Sequence, residues 1–157
     1  MDDEHDDHDA EEAAYEAGVR LLARREHSSR ELARKLRSRG YSRDTVELVL
    51  DRLVRQAYLS DERFTEAFVR QRCEQGHGPV RIIADLAERG IDEGLARHYL
   101  DQQAVDWFEQ ARTARARKFG DTLPHSRREW ARQARFLAGR GFSAEQVYRV
   151  LDARDDE

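Results

Sequence analysis

Arginine dominates the side chains of this sequence that could do chemistry. Of its 28 bases, all but Lys35 and Lys118 are arginines. A guanidinium fork pairs with phosphate or carboxylate in a planar, bidentate way. Rows of arginine therefore point to recognition of anions rather than to bond making. Arg30, Arg34 and Arg37 stand at i, i+4 and i+7, one face of a helix, with Lys35 and Arg39 alongside. Arg112, Arg115, Arg117 and Lys118 gather toward the end of another segment, and Arg127, Arg128, Arg132 and Arg135 open the next. Arg70, Arg72 and Arg81 flank the turn Gly76-His77-Gly78-Pro79. These positions are the candidates for contact with DNA or a protein partner. Codon usage in a GC-rich genome would enrich arginine as well, so placement carries more weight than abundance.

Covalent chemistry has little support. None of the six histidines lies in a nucleophile motif, and the sequence holds neither a phosphate loop nor a dinucleotide fingerprint. Cys73 is the single cysteine, which excludes an internal disulfide and a Cys-based zinc site. The expectation is a buried thiol in a non-enzymatic protein with no cofactor and no metal.

The whole-chain net charge of −4 conceals strong segregation. Residues 1–12 hold eight acids and no base, and 152–157 hold four acids and Arg154 alone. Residues 20–43 carry nine bases against Glu26 and Glu31, and 112–140 carry nine against Asp121 and Glu129. The stretch 44–111 between them is acidic, with fourteen acids and eight bases. The N-terminal run repels itself and reads as a disordered tail that screens the basic body. At 38% charged and 39% apolar, the chain cannot enclose a large dry pocket. No stretch approaches the ~20 apolar residues of a membrane span. An acidic start is unlike a secretory signal, and a reducing cytoplasm fits.

The elements that carry these arginines come from a repeat. Arg39-Gly40-Tyr41, Arg89-Gly90-Ile91 and Arg140-Gly141-Phe142 are spaced by 50 and 51 residues at their glycines. Leu36, Leu86 and Leu137 precede the glycines by four, and Leu50, Leu100 and Leu151 follow by ten. Three copies of one supersecondary unit follow from this agreement. Each glycine is placed to end a helix with a left-handed residue, and the large apolar residue after it to fold back on the last turn. Ser42, Asp92 and Ser143 are placed to cap the next helix. Ser28 with Glu31, Ser126 with Glu129 and Ser143 with Gln146 have capping-box spacing.

Apolar periodicity then predicts helices near 13–25, 29–39, 43–57, 61–75, 79–89, 93–103, 104–118, 126–139 and 143–153. No Gly or Pro marks the break near 103, which leaves one kinked helix as the alternative there. The expected architecture is all-α: three tandem three-helix repeats (13–57, 58–103, 104–153) in an elongated, curved body, between an acidic tail at 1–12 and a tail end at 154–157. Trp107, Phe108 and Trp130 are placed to pack in the core, and Tyr41, Tyr58 and Phe142 between repeats. Asp61 is expected to complement a helix start, with Arg63 paired to Asp61 or Glu66.

Within this frame Tyr58-Leu59-Ser60-Asp61-Glu62-Arg63-Phe64, Gly78-Pro79-Val80-Arg81-Ile82 and Leu86 through Ile91 form a block that closely resembles the signature of the RecX family of bacterial regulators. Its carriers are Tyr58, Leu59, Asp61, Arg63, Phe64, Gly78, Pro79, Arg81, Ile82 and Gly90, with Arg89 where the family usually has lysine. The resemblance implies a protein that binds RecA and the RecA–single-stranded DNA filament. It also implies restraint of recombinase, ATPase and co-protease activity, and so a role in DNA repair and the SOS response. A monomer that touches no membrane is expected, with direct DNA contact as an accompanying possibility. The alternative is a stand-alone helix-turn-helix-like DNA-binding module.

Overall fold

A computed structural model describes residues 2–152, with side chains from residue 4 onward. Among the described residues there are nine helices and no strand. They are α1 (Asp2–Arg24), α2 (Ser29–Ser38), α3 (Arg43–Arg55), α4 (Asp61–Glu74), α5 (Pro79–Glu88), α6 (Glu93–Gln102), α7 (Trp107–Phe119), α8 (Arg127–Gly139) and α9 (Ala144–Leu151). The all-α class read from the sequence is the observed one.

Local chemistry sets the helix ends. Ser28 Oγ accepts a bond from the Glu31 N–H at 3.1 Å, and Glu31 Oε1 accepts one from the Ser28 N–H at 3.3 Å. Ser143 and Gln146 repeat this reciprocal cap at 3.2 and 2.8 Å. Ser126 caps α8 through the Glu129 N–H, but the Glu129 side chain turns instead toward Gln133. At the other end, Gly40 and Gly141 have φ of +97° and +100°, and the amides of Tyr41 and Phe142 reach back to Leu36 O and Leu137 O.

The ambiguous break near 103 is real. Ala104 adopts φ +50° and Asp106 caps α7 by accepting from the Glu109 N–H at 3.1 Å. Alanine here holds the left-handed conformation that glycine usually supplies, so no sequence marker announced the stop.

The acidic stretch expected as a tail continues, from Asp2 onward, into α1. The acids sit at the positive end of the helix dipole, where they are favoured. Ala10, Ala13 and Ala14 supply helix propensity. The helix is then anchored to α3: Glu12 pairs with Arg52 at 2.7 Å, and the Arg52 guanidinium lies 3.7 Å from the Tyr15 ring centroid. The expectation for 154–157 falls outside the described residues.

Two compact units form. The first holds residues up to Ala67 together with Glu88–Asp92, and the second holds Phe68–Ala87 and the chain from Glu93. In the first, α1, α2 and α3 pack on one another around Leu32, Leu36, Val49, Leu53 and Leu59. In the second, α7, α8 and α9 enclose Ala111, Leu137, Phe142 and Val150. Trp107, Phe108 and Trp130 line the margin of that cluster, partly buried. Tyr58, by contrast, is 53% exposed and does not pack as expected, because the chain leaves α3 through a left-handed Ala57 and turns the ring outward while Leu59 takes the core position.

Turn glycines also let helix entrances approach. A Cβ on Gly90 would lie 3.0 Å from Arg30 Cβ, so the start of α2 rests on the turn after α5. The start of α5 rests likewise on the turn after α8: the Gly78 N–H donates to Arg140 O at 2.8 Å, and the Val80 N–H to Gly141 O at 2.9 Å. Gly40, at the same position in the first repeat, faces open space.

Candidate functional site

In the first unit, α2 buries Leu32 and Leu36 and turns Arg30, Arg34 and Arg37 outward. The i, i+4, i+7 spacing thus works as one exposed row. None of the three has an ion-pair partner among the described residues. They line a cleft of about 720 Å³ with Ala33, Ser38 and Glu88, which continues past Arg89. Glu31 does not neutralise the row, because its carboxylate is held by Arg25 at 3.0 Å. Burial alone would raise the Glu31 pKa, but the bonds from Arg25 and Ser28 lower it.

Lys35 stands apart from this row. Its Nζ donates to His27 Nε2 at 2.8 Å, while His27 Nδ1–H donates to Arg25 O at 3.0 Å. Burial pushes both Lys35 and His27 below their ordinary pKa, and Arg25 adds repulsion to each. Lys35 is therefore turned inward as a donor to a neutral imidazole, not presented to a partner.

Of the second group, Arg70 is exposed. Arg72 is partly buried with its guanidinium 4.6 Å from the Phe68 ring centroid. Arg81 pairs with Asp85 at 3.8 Å.

In the third group the structure makes one clear correction. Arg115 is only 4% exposed and cannot meet a partner. Its guanidinium donates to Thr122 O at 3.0 Å, Gly120 O at 3.1 Å and Gln133 Oε1 at 3.4 Å. It holds the α7–α8 loop through the Gly120 and Thr122 carbonyls, which accept from no backbone N–H among the described residues. Arg127, Arg128 and Arg135 are exposed, whereas Arg112 and Arg132 are exposed but engaged with Glu109 and Glu129.

The signature residues set helix starts and core positions within each unit. Ser60 Oγ caps α4 through the Arg63 N–H, Asp61 Oδ1 accepts from the Ser29 N–H at 2.7 Å, and Arg63 Nε meets Glu26 Oε1 at 3.0 Å. Arg63 thus pairs with a distant residue rather than with Asp61 or Glu66. Leu59, Phe64 and Ile82 are buried, and Pro79 opens α5 with Gly78 before it.

Sequence reasoning missed His27 and His77, which are 1% and 6% exposed. Each lies thirteen residues before the turn glycine of its repeat, so the repeat alignment already contained the signal. Burial lowers the His77 pKa, and the charges of Arg81, Arg72 and Arg140 lower it further.

The described residues hold no cluster of metal-ligating side chains, and none of their helices is long and apolar enough to cross a membrane. The arrangement offers anion recognition on exposed arginines.

Comparison with known proteins places this geometry. Models of the first, second and third three-helix domains of RecX match residues 14–53, 60–100 and 104–151. The regulatory protein RecX of Halorhodospira halophila is 48% identical over 148 residues, covering 94% of this chain and 92% of that protein. The one from Ectopseudomonas mendocina is 43% identical, covering 92% and 96%. The crystal structure of RecX from Lactobacillus salivarius superposes with a TM-score of 0.75 at 22% identity, over 92% of this chain and 96% of that one.

Proposed function

The chain belongs to the RecX family, and from that premise we propose that it binds RecA and the RecA–single-stranded DNA filament and restrains recombinase, ATPase and co-protease activity. It acts by binding, without catalysis, as a regulator of DNA repair and the SOS response in the cytoplasm. The observation that carries this reading is the row Arg30, Arg34 and Arg37, exposed and without ion-pair partners beside a cleft. Arginines in that state are available to phosphates or to carboxylates on a filament. The exposed Arg127, Arg128 and Arg135 on α8, with Arg132, supply a second anion-binding face.

Co-sedimentation with preformed RecA filaments on single-stranded DNA, at several salt concentrations, tests the reading. The wild-type chain is expected to pellet with filaments and to slow strand exchange and ATP hydrolysis. R30Q/R34Q/R37Q is expected to lose most of this while remaining folded. Unchanged inhibition by the triple variant would remove the α2 row from the mechanism. Tight, sequence-specific binding to bare duplex would favour the stand-alone DNA-binding module instead.

A further inference from the structure

Away from the α2 row, the second unit contains a cleft of about 410 Å³ between the last turn of α4, one face of α7 and the end of α8. Its walls combine Phe136 with the cations Arg117, Lys118 and Arg140, and Glu74 is the one carboxylate among them. Lys118 Nζ lies 5.9 Å and Arg140 Cζ 5.7 Å from the Phe136 ring centroid. The neighbouring Phe119 ring packs against Phe136 in a T-shaped pair with centroids 5.3 Å apart. Thr113 adds a hydroxyl to the α7 wall.

Cations at helix C-termini have an ordinary use in offsetting the helix dipole. Two features exceed it here. The cations converge on an aromatic ring inside a concave space. In addition, Arg140 Nε is buried without a hydrogen-bond partner among the described residues, and such donors are normally satisfied. An aromatic platform flanked by cations is the pairing that single-stranded nucleic acid exploits, with a base against the ring and its phosphates against the charges.

We propose that this cleft seats one unstacked nucleotide of a single strand, with the base against Phe136 and the flanking phosphodiesters on Arg117, Lys118 and Arg140. Duplex DNA is excluded because its bases are stacked inside and cannot enter. A free nucleoside polyphosphate is disfavoured because the walls offer no helix-start N–H groups to cradle it: Gln110, the lining residue nearest a helix start, already donates its N–H to Asp106 O at 2.9 Å. A phosphodiester, with one charge per residue, needs only the side-chain cations. The assignment deepens the filament reading and rests on it for the setting in which single strand is met.

Fluorescence anisotropy of a labelled oligothymidylate with the full chain, without RecA, tests it. F136L keeps an apolar side chain at the core margin and is expected to weaken binding about 10-fold, within the roughly 5- to 150-fold range of one lost stack, with the salt slope unchanged. R117Q/K118Q, both at exposed positions, is expected to reduce the slope of log K against log salt by about 1.4. It also provides the reading should F136L fail to fold. Binding by F136L within twofold of wild type overturns the proposal. So does an unchanged salt slope in R117Q/K118Q, displacement of the strand by equivalent thymidine monophosphate or polyglutamate, or absence of strand binding. Filament co-sedimentation of the same variants separates the two readings. Normal co-sedimentation without strand binding overturns the cleft alone, whereas strand binding that depends on Phe136 without filament binding overturns the filament reading alone.

Discussion

The carboxylate of Asp61 accepts a 2.7 Å hydrogen bond from the backbone N–H of Ser29, although 32 residues separate them. Ser29 is the first residue of α2 and Asp61 the first of α4. One carboxylate therefore complements the positive ends of two helices, its own and the one that carries Arg30, Arg34 and Arg37. The capping role expected for Asp61 is present, but it extends across the fold.

From that geometry, D61A is expected to lose a charge-assisted hydrogen bond worth about 1.5–3 kcal/mol. D61N retains an acceptor and should cost less, on the order of 1 kcal/mol. Urea denaturation of both variants measures this. Equal costs would show that charge, rather than the bond, is what the α2 start requires.

Three glycines share one repeat position, but their surroundings separate conformation from contact. G40A must place an alanine at φ +97° with nothing within 4 Å, so it should cost about 1–2 kcal/mol. G141A adds a Cβ that would overlap Arg81 Cβ at φ +100°, and should cost a further ~1–3 kcal/mol for overpacking. Matching melting shifts for the two variants would mean that the α5 entrance moves aside without cost.

These glycines also show what the sequence made legible and what it hid. Their spacing revealed the repeat, and Ser28, Ser126 and Ser143 announced helix starts through side chains that bond locally. Local chemistry is readable because partner and position lie within a few residues. The stop at Ala104 was hidden because alanine pays for no sequence signature of its own, and the helical start of α1 because anchors such as Arg52 lie 40 residues from Glu12. At the candidate site, the α2 row was legible from helical phase alone. Arg115 was not: its phase suits a surface cluster, and only the carbonyls of a loop folded over it explain its burial.

Arg115 accordingly should matter for stability and not for binding. R115A removes three hydrogen bonds and strands the Gly120 and Thr122 carbonyls, a loss expected to reach about 3 kcal/mol. R115K keeps the charge but cannot span the same acceptors, so it should recover only part of the loss. Thermal melts give the stability. The salt slope of filament binding should stay at the wild-type value under conditions where the variants are folded, and a reduced slope would return Arg115 to the binding surface.

Stability should fall as pH drops from 7 toward 5.5. His27 and His77 are both held below the ordinary histidine value of 6.5, chiefly by burial and secondarily by neighbouring cations. Above pH 6.5 both the folded and the unfolded chain carry neutral imidazoles there, and neither group affects the balance. Below it the unfolded chain takes up protons that the folded chain resists, so unfolding is favoured by up to about 1.4 kcal/mol per pH unit for each histidine. His27 faces Arg25 and Lys35 with Glu31, and His77 faces Arg81, Arg72 and Arg140 with Asp85. Glu31, with its lowered pKa, stays ionised through this window and does not offset the two histidines. Urea midpoints of the wild-type chain and of H27Q and H77Q, taken at half-unit pH intervals, resolve the contribution. Each substitution should lower stability at pH 7 yet flatten the decline toward pH 5.5, and parallel curves for all three proteins would show that these imidazoles protonate freely in the fold.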